Sequence, residues 1–211
     1  MQTTELIDSL AADLRPALQR LPRLLLAIAV GGALALAVLW LGFGFREDLG
    51  QAVHGSAFWM KLTFSLATAV LAFGLCARVA RPESGPGWWL AALLFPPLFA
   101  AGMAGIEVVS VMPEERAMLL FGHSVIRCLS CIVVLAVPLL LAVLWAYRRF
   151  APTRLRLAGF SGGLLAGAGA ALVYSLHCTE NSPLFIAAWY GVGMSLPAVL
   201  GVVLGPRVLR W

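Results

Sequence analysis

Six long apolar runs dominate this sequence, at residues 24–45, 58–80, 88–109, 124–147, 157–176 and 183–204. Each has 20 residues or more. A helix rises about 1.5 Å per residue, so each run can cross a hydrocarbon core of about 30 Å. Lipid offers no partner to an open backbone, which leaves the helix as the only structure such a run can take. The connections are short and polar, marked by Arg46-Glu47-Asp48, Pro82-Glu83-Ser84-Gly85-Pro86-Gly87 and Pro152-Thr153. With 61% hydrophobic and 12% charged residues in a chain of 211, a soluble globular domain, a disordered tail and a secreted disulfide scaffold are excluded. The expected fold is all-α: a polytopic membrane bundle of six transmembrane helices over residues 24–211, preceded by an aqueous segment, residues 1–23. The first run lacks a small-residue cleavage site and reads as a retained span.

Placement of the basic residues sets the expected orientation. With the N-terminus inside, Arg15, Arg20, Arg23, Arg78, Arg81, Arg148, Arg149, Arg154, Arg156, Arg207 and Arg210 fall on the cytoplasmic side, 11 of the 15 basic residues. Only Arg46, Lys61, Arg116 and Arg127 fall on the other. This is the positive-inside pattern, with both termini cytoplasmic. The net charge of +5 is therefore a topology signal and a contact for anionic membrane lipid, with no direct nucleic-acid partner. Gly159, Gly163 and Gly167 recur every four residues, and Gly201 and Gly205 repeat the spacing. Such small-residue faces allow close helix approach, read here as packing within the chain, with a dimer interface as the alternative. Oligomeric state does not follow from this.

Residues 1–23 read as a short amphipathic helix. Thr3 or Thr4 can cap its start, and Glu5 and Asp8 suit the positive end of its dipole. Leu6, Leu10 and Leu14 recur at helical spacing with Ile7 beside them, while Glu5, Asp8, Ser9 and Asp13 fill the remaining surface. Pro16 ends or kinks the helix. So short a helix is marginal alone. The first fourteen residues hold three acids and no base, which disfavours an anionic leaflet as the receiving surface. A groove on a basic protein partner, docking on the chain's own bundle and an inert leader remain as readings.

Cysteine placement is uneven. Cys76 belongs to the cytoplasmic end of the second span, whereas Cys128, Cys131 and Cys178 lie near the outer ends of the fourth and fifth. Cys128 stands 20 residues before Arg148 and Cys178 stands 22 after Arg156. Both therefore lie about 30–33 Å from the inner boundary, where a Cys128–Cys178 disulfide is compatible with the depths. Cys131, one turn deeper, could substitute for either. Small apolar filler is the competing reading for each. His54, His123 and His177 also map to the outer side, so His177, Cys178, Cys128 and His123 form the set chemically suited to a transient thiophilic metal ion. No resident cofactor is expected, and no catalytic residue either.

Cys128-Leu129-Ser130-Cys131 has the form of a CxxC dithiol, but its second thiol sits inside the apolar run. Lys61 and Glu107 are the ionisable residues nearest the apolar zone. Both are expected near the outer interface, where snorkelling tolerates them and a Lys61–Glu107 pair fits. The classes left open are a regulator, a membrane thiol–disulfide or quinone-linked oxidoreductase, and a small permease.

Several blocks resemble the NrsF family of six-span inner-membrane anti-sigma factors. They are Glu5-Leu6-Ile7-Asp8 with Leu10, Asp13-Leu14-Arg15-Pro16, Arg127-Cys128-Leu129 with Ile132, Leu135 and Pro138, and Tyr174-Ser175-Leu176-His177-Cys178. Ser182-Pro183-Leu184-Phe185, Trp189-Tyr190-Gly191, Gly205-Pro206-Arg207 and Leu209-Arg210-Trp211 continue the likeness. The resemblance implies a bacterial inner-membrane protein whose cytoplasmic N-terminal segment holds an extracytoplasmic-function (ECF) sigma factor, through Leu6, Ile7, Leu10, Asp13 and Leu14. It also implies that two outward cysteines, matching Cys128 and Cys178, answer oxidative or heavy-metal stress by releasing that partner. Cys131 is additional to the motif.

Overall fold

The computed structural model describes residues 20–81, 85–150 and 152–210. Leu6, Ile7, Leu10, Asp13 and Leu14 lie outside the described residues. Among the described residues, six helices are long and apolar enough to cross a membrane. We label their main segments α1 (Arg20–Gly42), α2 (Ser56–Val79), α3 (Phe95–Ser110), α4 (Val125–Arg148), α5 (Leu155–Tyr174) and α6 (Gly191–Val208). No strand occurs among the described residues.

The expected spans match these helices, with three local departures that have physical causes. The first span stops at Gly42, short of residue 45, because Gly44 adopts the left-handed conformation (φ +75°) and the N–H groups of Phe43 and Gly44 both close on the Leu39 carbonyl. The third is broken into a turn, Trp89–Ala92, and α3, because Pro96 and Pro97 donate no backbone hydrogen bond and are tolerated only where a helix begins anew. The sixth opens with Pro183–Phe185 and a π-helical turn, Ile186–Tyr190, before α6.

Helix α5 is the centre of the bundle. Two thirds (67%) of its apolar window is buried, against 22% for the third span, because its many Gly and Ala residues let neighbours approach from several sides. Gly159 meets the backbone of Gly201 and Gly205, Gly163 that of Pro197 and Ala198, and Gly167 that of Met194. Rising along α5 therefore means descending along α6, so the pair is antiparallel. The small-residue faces pack within the chain, as expected. On its other side α5 presents Gly162 to Val143 and Tyr147, and Gly169 to Leu139, all of α4. Gly31 of α1 seats on the α4 backbone at Pro138 and Leu139.

At the end where α2 and α4 finish and α5 begins, Cys76 is fully buried beside Tyr147 and Ser161. The two hydroxyls lie 2.8 Å apart and Ser161 also donates to the Ala158 carbonyl, so this buried polar group is satisfied.

Candidate functional site: a thiol cluster beneath a two-cation latch

Helices that begin at the arginine-poor end expose unpaired N–H groups, and acids from elsewhere in the chain meet them. Glu180 accepts from the His123 N–H (2.9 Å) and the Ser124 hydroxyl (2.8 Å), just ahead of α4. Gly122, at φ +49°, makes the turn that allows this. Glu107 accepts from the Ser182 hydroxyl (2.7 Å) and the Leu184 N–H (2.8 Å) at the start of the sixth span. The Trp189 indole donates to the Leu120 carbonyl (2.6 Å), fastening the short helix Arg116–Phe121 to the same region. Glu107→Ala is expected to lower the thermal midpoint of the detergent-solubilised chain by about 2–10 °C, because an orphaned N–H costs about 1–3 kcal/mol. Glu107→Gln, which keeps an acceptor oxygen, should cost less than half of that.

These contacts correct the reading of Lys61 and Glu107. Glu107 is committed to the sixth span, and the two side chains are not paired. Lys61 does not snorkel: its side chain is wholly buried (0% exposed) and its ammonium donates to the Cys178 carbonyl at 2.9 Å. Arg46 donates to the same carbonyl at 3.1 Å. Its guanidinium also grips Asp48 with two bonds of 2.7 Å, which holds the Asp48 carboxyl below its ordinary pKa and raises that of Arg46. The Arg46 N–H donates to the Leu176 carbonyl (3.2 Å), and a ring nitrogen of His177 bonds to the Gly44 carbonyl (3.0 Å). Four bonds thus tie the segment 176–178 to the loop after α1 and to α2.

Under this latch lie the thiols. Cys128, Cys131 and Cys178 are free and buried, and all three fall within electrostatic reach of the Tyr174 hydroxyl. Cys128 and Cys178, from different spans, also interact electrostatically. Tyr190, the last residue of the π-helical turn, is buried and also within electrostatic reach of Cys128 and Cys178. Its ring lies 6.0 Å from that of Tyr174. A cavity of about 440 Å³ opens beside Cys178, lined among others by Arg46, Ser124, Arg127, Tyr174 and His177. The arrangement can therefore admit a small reagent to a thiol that is otherwise 2% exposed.

The metal set is not assembled. Among the described residues no three of His, Cys, Asp or Glu are placed to share an ion. His177 is turned to Gly44, and the His123 backbone is engaged by Glu180. Arg46, Glu180 and Tyr190 were not singled out as site residues from sequence. A Ser-Pro helix start at Ser182 was the one local signal that an acid would be drawn there, as Glu107 is.

Residues 10–211 match the family described as "Negative regulator of sigma F". The chain belongs to the NrsF family. It is 41% identical over its whole length, and over all of the relative, to the "Probable anti-sigma-F factor NrsF" of Azospira oryzae. It is 37% identical, again with both chains fully covered, to the "Anti-sigma-F factor NrsF" of Caulobacter vibrioides. No solved structure matches the chain. NrsF proteins are regulators, and the family is not an enzymatic one. The oxidoreductase alternative is thereby set aside.

Proposed function

We propose that this chain is a membrane anti-sigma factor that holds an ECF-type sigma factor through residues 1–23 and releases it when Cys128 and Cys178 are modified. Its NrsF relatives, named as anti-sigma-F factors, support the role. The positive-inside distribution of arginines supports an inner-membrane protein with both termini and the sigma factor on the cytoplasmic side and the thiols facing outward. The observation that carries the mechanism is the pair of hydrogen bonds that Lys61 and Arg46 donate to the Cys178 carbonyl. A change at the Cys178 side chain disturbs its own carbonyl, and the carbonyl is what holds the loop after α1, through Arg46, and the start of α2, through Lys61. In sequence, the segment 1–23 leads into helix α1.

In the unstressed state the thiols are reduced, the latch is closed and the sigma factor is held through Leu6, Ile7, Leu10 and Leu14, with Asp13 facing a basic patch on the partner. An oxidant that removes two electrons and two protons joins Cys128 to Cys178. A thiophilic metal ion that displaces their protons has an equivalent effect on the carbonyl. Either event frees α1 from segment 176–178. Cys131, one helical turn along α4 from Cys128, is the second candidate partner in this reading.

The test is co-purification of the full chain from its own cells, with and without residues 1–23. A sigma factor is expected with the intact chain and at least tenfold less with the truncated one. In cells exposed to dichromate or cadmium the intact chain should lose the sigma factor, while Cys128→Ser and Cys178→Ser chains keep it. Normal release from the two serine variants would refute the thiol mechanism. Absence of any sigma factor from the intact chain would refute the anti-sigma reading itself.

A further inference from the structure

At the end of the bundle away from Cys128, Cys131 and Cys178, the glycine crossing brings α5 and α6 into backbone contact, with Gly205 against the Leu155 carbonyl. Helices normally keep about 8–10 Å between axes, set by intervening side chains. Without such side chains the residues flanking the crossing are forced together. Arg156, in the first turn of α5, and Arg207 and Arg210, in and just beyond the last turn of α6, consequently line one groove of about 450 Å³ with Pro206, Val202 and Val203.

All three arginines are exposed, and no carboxylate among the described residues pairs with any of them. Arg207 spends one N–H on the Val203 carbonyl at 2.9 Å, which fixes its guanidinium against the helix and leaves its remaining donors outward. The N-cap of α5, Arg154, offers no side-chain acceptor to the first N–H groups, so the positive end of the helix dipole adds to the same field. Three like charges crowded on one seam repel one another unless an anion joins them. Forked guanidinium donors match phosphate oxygens with paired bonds.

The flank of the groove distinguishes the source of that phosphate. Val199, Leu200 and Val203, on α6 beside and beyond the arginines, are 48–61% exposed and form an apolar strip running toward the middle of the span. A free phosphate ion would meet the arginines and leave the strip unused. A phospholipid uses both, its headgroup among the guanidiniums and an acyl chain along the valines and leucine.

We propose that Arg156, Arg207 and Arg210 form a headgroup site for an anionic phospholipid at the α5–α6 seam. The site does not depend on what protein the chain regulates. It is tested on the full chain in detergent micelles mixed with phosphatidylglycerol, cardiolipin or phosphatidylcholine, with bound lipid counted per chain by native mass spectrometry. The intact chain should retain one anionic lipid in preference to phosphatidylcholine. The R156Q/R207Q/R210Q chain should bind the anionic lipid about 100-fold more weakly. A R78Q/R81Q chain, altered at the same end but off the groove, should match the parent.

Thermal midpoints of the variants report folding, and the three single substitutions provide graded versions if the triple variant is unstable. Unchanged lipid retention in the triple and single variants would overturn the proposal. So would full displacement of the lipid by millimolar inorganic phosphate, which would mark a free-anion site. A triple variant that keeps its lipid but loses a co-purifying protein would overturn it in favour of a protein-docking groove.

Discussion

Gly201→Leu is expected to leave little folded bundle. A side chain at Gly201 points into the Gly159 carbonyl and the Gly163 backbone, with no flexible group nearby to give way. Overpacking costs about 1–3 kcal/mol where neighbouring side chains can shift. Here helix backbone must move instead, so the cost should exceed the upper end of that range. For a chain of this size the thermal midpoint should fall by at least about 10 °C, with aggregation on size-exclusion chromatography. Gly32→Leu is the matched control: its added group meets nothing within 4 Å, and the chain should behave as the parent does. Equal stability of the two variants would mean that the α5–α6 seam is not the closest contact in the protein.

Lys61→Met should separate the latch from the fold. Methionine fills the same volume without a charge, and exchanging a buried cation for an apolar side chain is often neutral or stabilising. The thermal midpoint should therefore stay within about 5 °C of the parent. The Cys178 carbonyl, however, loses its bond from α2 and keeps only Arg46. A hydrogen bond to a charged group contributes about 1.5–3 kcal/mol, which corresponds to roughly 10- to 100-fold in the equilibrium between closed and opened segment 176–178. Labelling of Cys178 by a membrane-impermeant maleimide should accelerate by that factor, and the sigma factor should be retained less well in unstressed membranes. Unchanged labelling, with an unchanged midpoint, would show that Lys61 does not hold the segment closed.

Much of the architecture could be read from the chain because lipid permits so few solutions. Once the backbone must be helical, six apolar runs give six helices, and glycine at every fourth position gives a close seam. Counting from Arg148 and Arg156 put Cys128 and Cys178 at one depth, and both are buried free thiols. Hydropathy is silent, however, about rotation around each helix axis. Nothing in the composition of α2 says whether Lys61 faces Glu107, the interface or the segment after α5, and that is why its partner was misassigned. Segment 176–178 offers an accepting carbonyl because it has left the helix, a fact of backbone path rather than residue type. The π-helical turn at Ile186–Tyr190 was hidden for the same reason, since no local residue pattern marks it. Pro96-Pro97, by contrast, carried a break in the third span in plain view.

The glycine seam also restricts how the protein can move. Along the seam the α5 and α6 backbones mesh, so sliding one past the other by a residue, about 1.5 Å, would drive the α-carbons of one helix into the peptide groups of the other. The pair behaves as a rigid post. The contacts of α5 with α4 are of another kind, with Val143, Tyr147 and Leu139 side chains lying over Gly162 and Gly169, and side chains can change rotamer. Compliance is therefore concentrated at the α4–α5 boundary, one half of which carries Cys128 and cradles α1 at Pro138. Motion that begins at the thiols is taken up more readily at the α4–α5 boundary than along the glycine seam, and α1 packs on the α4 side of that boundary.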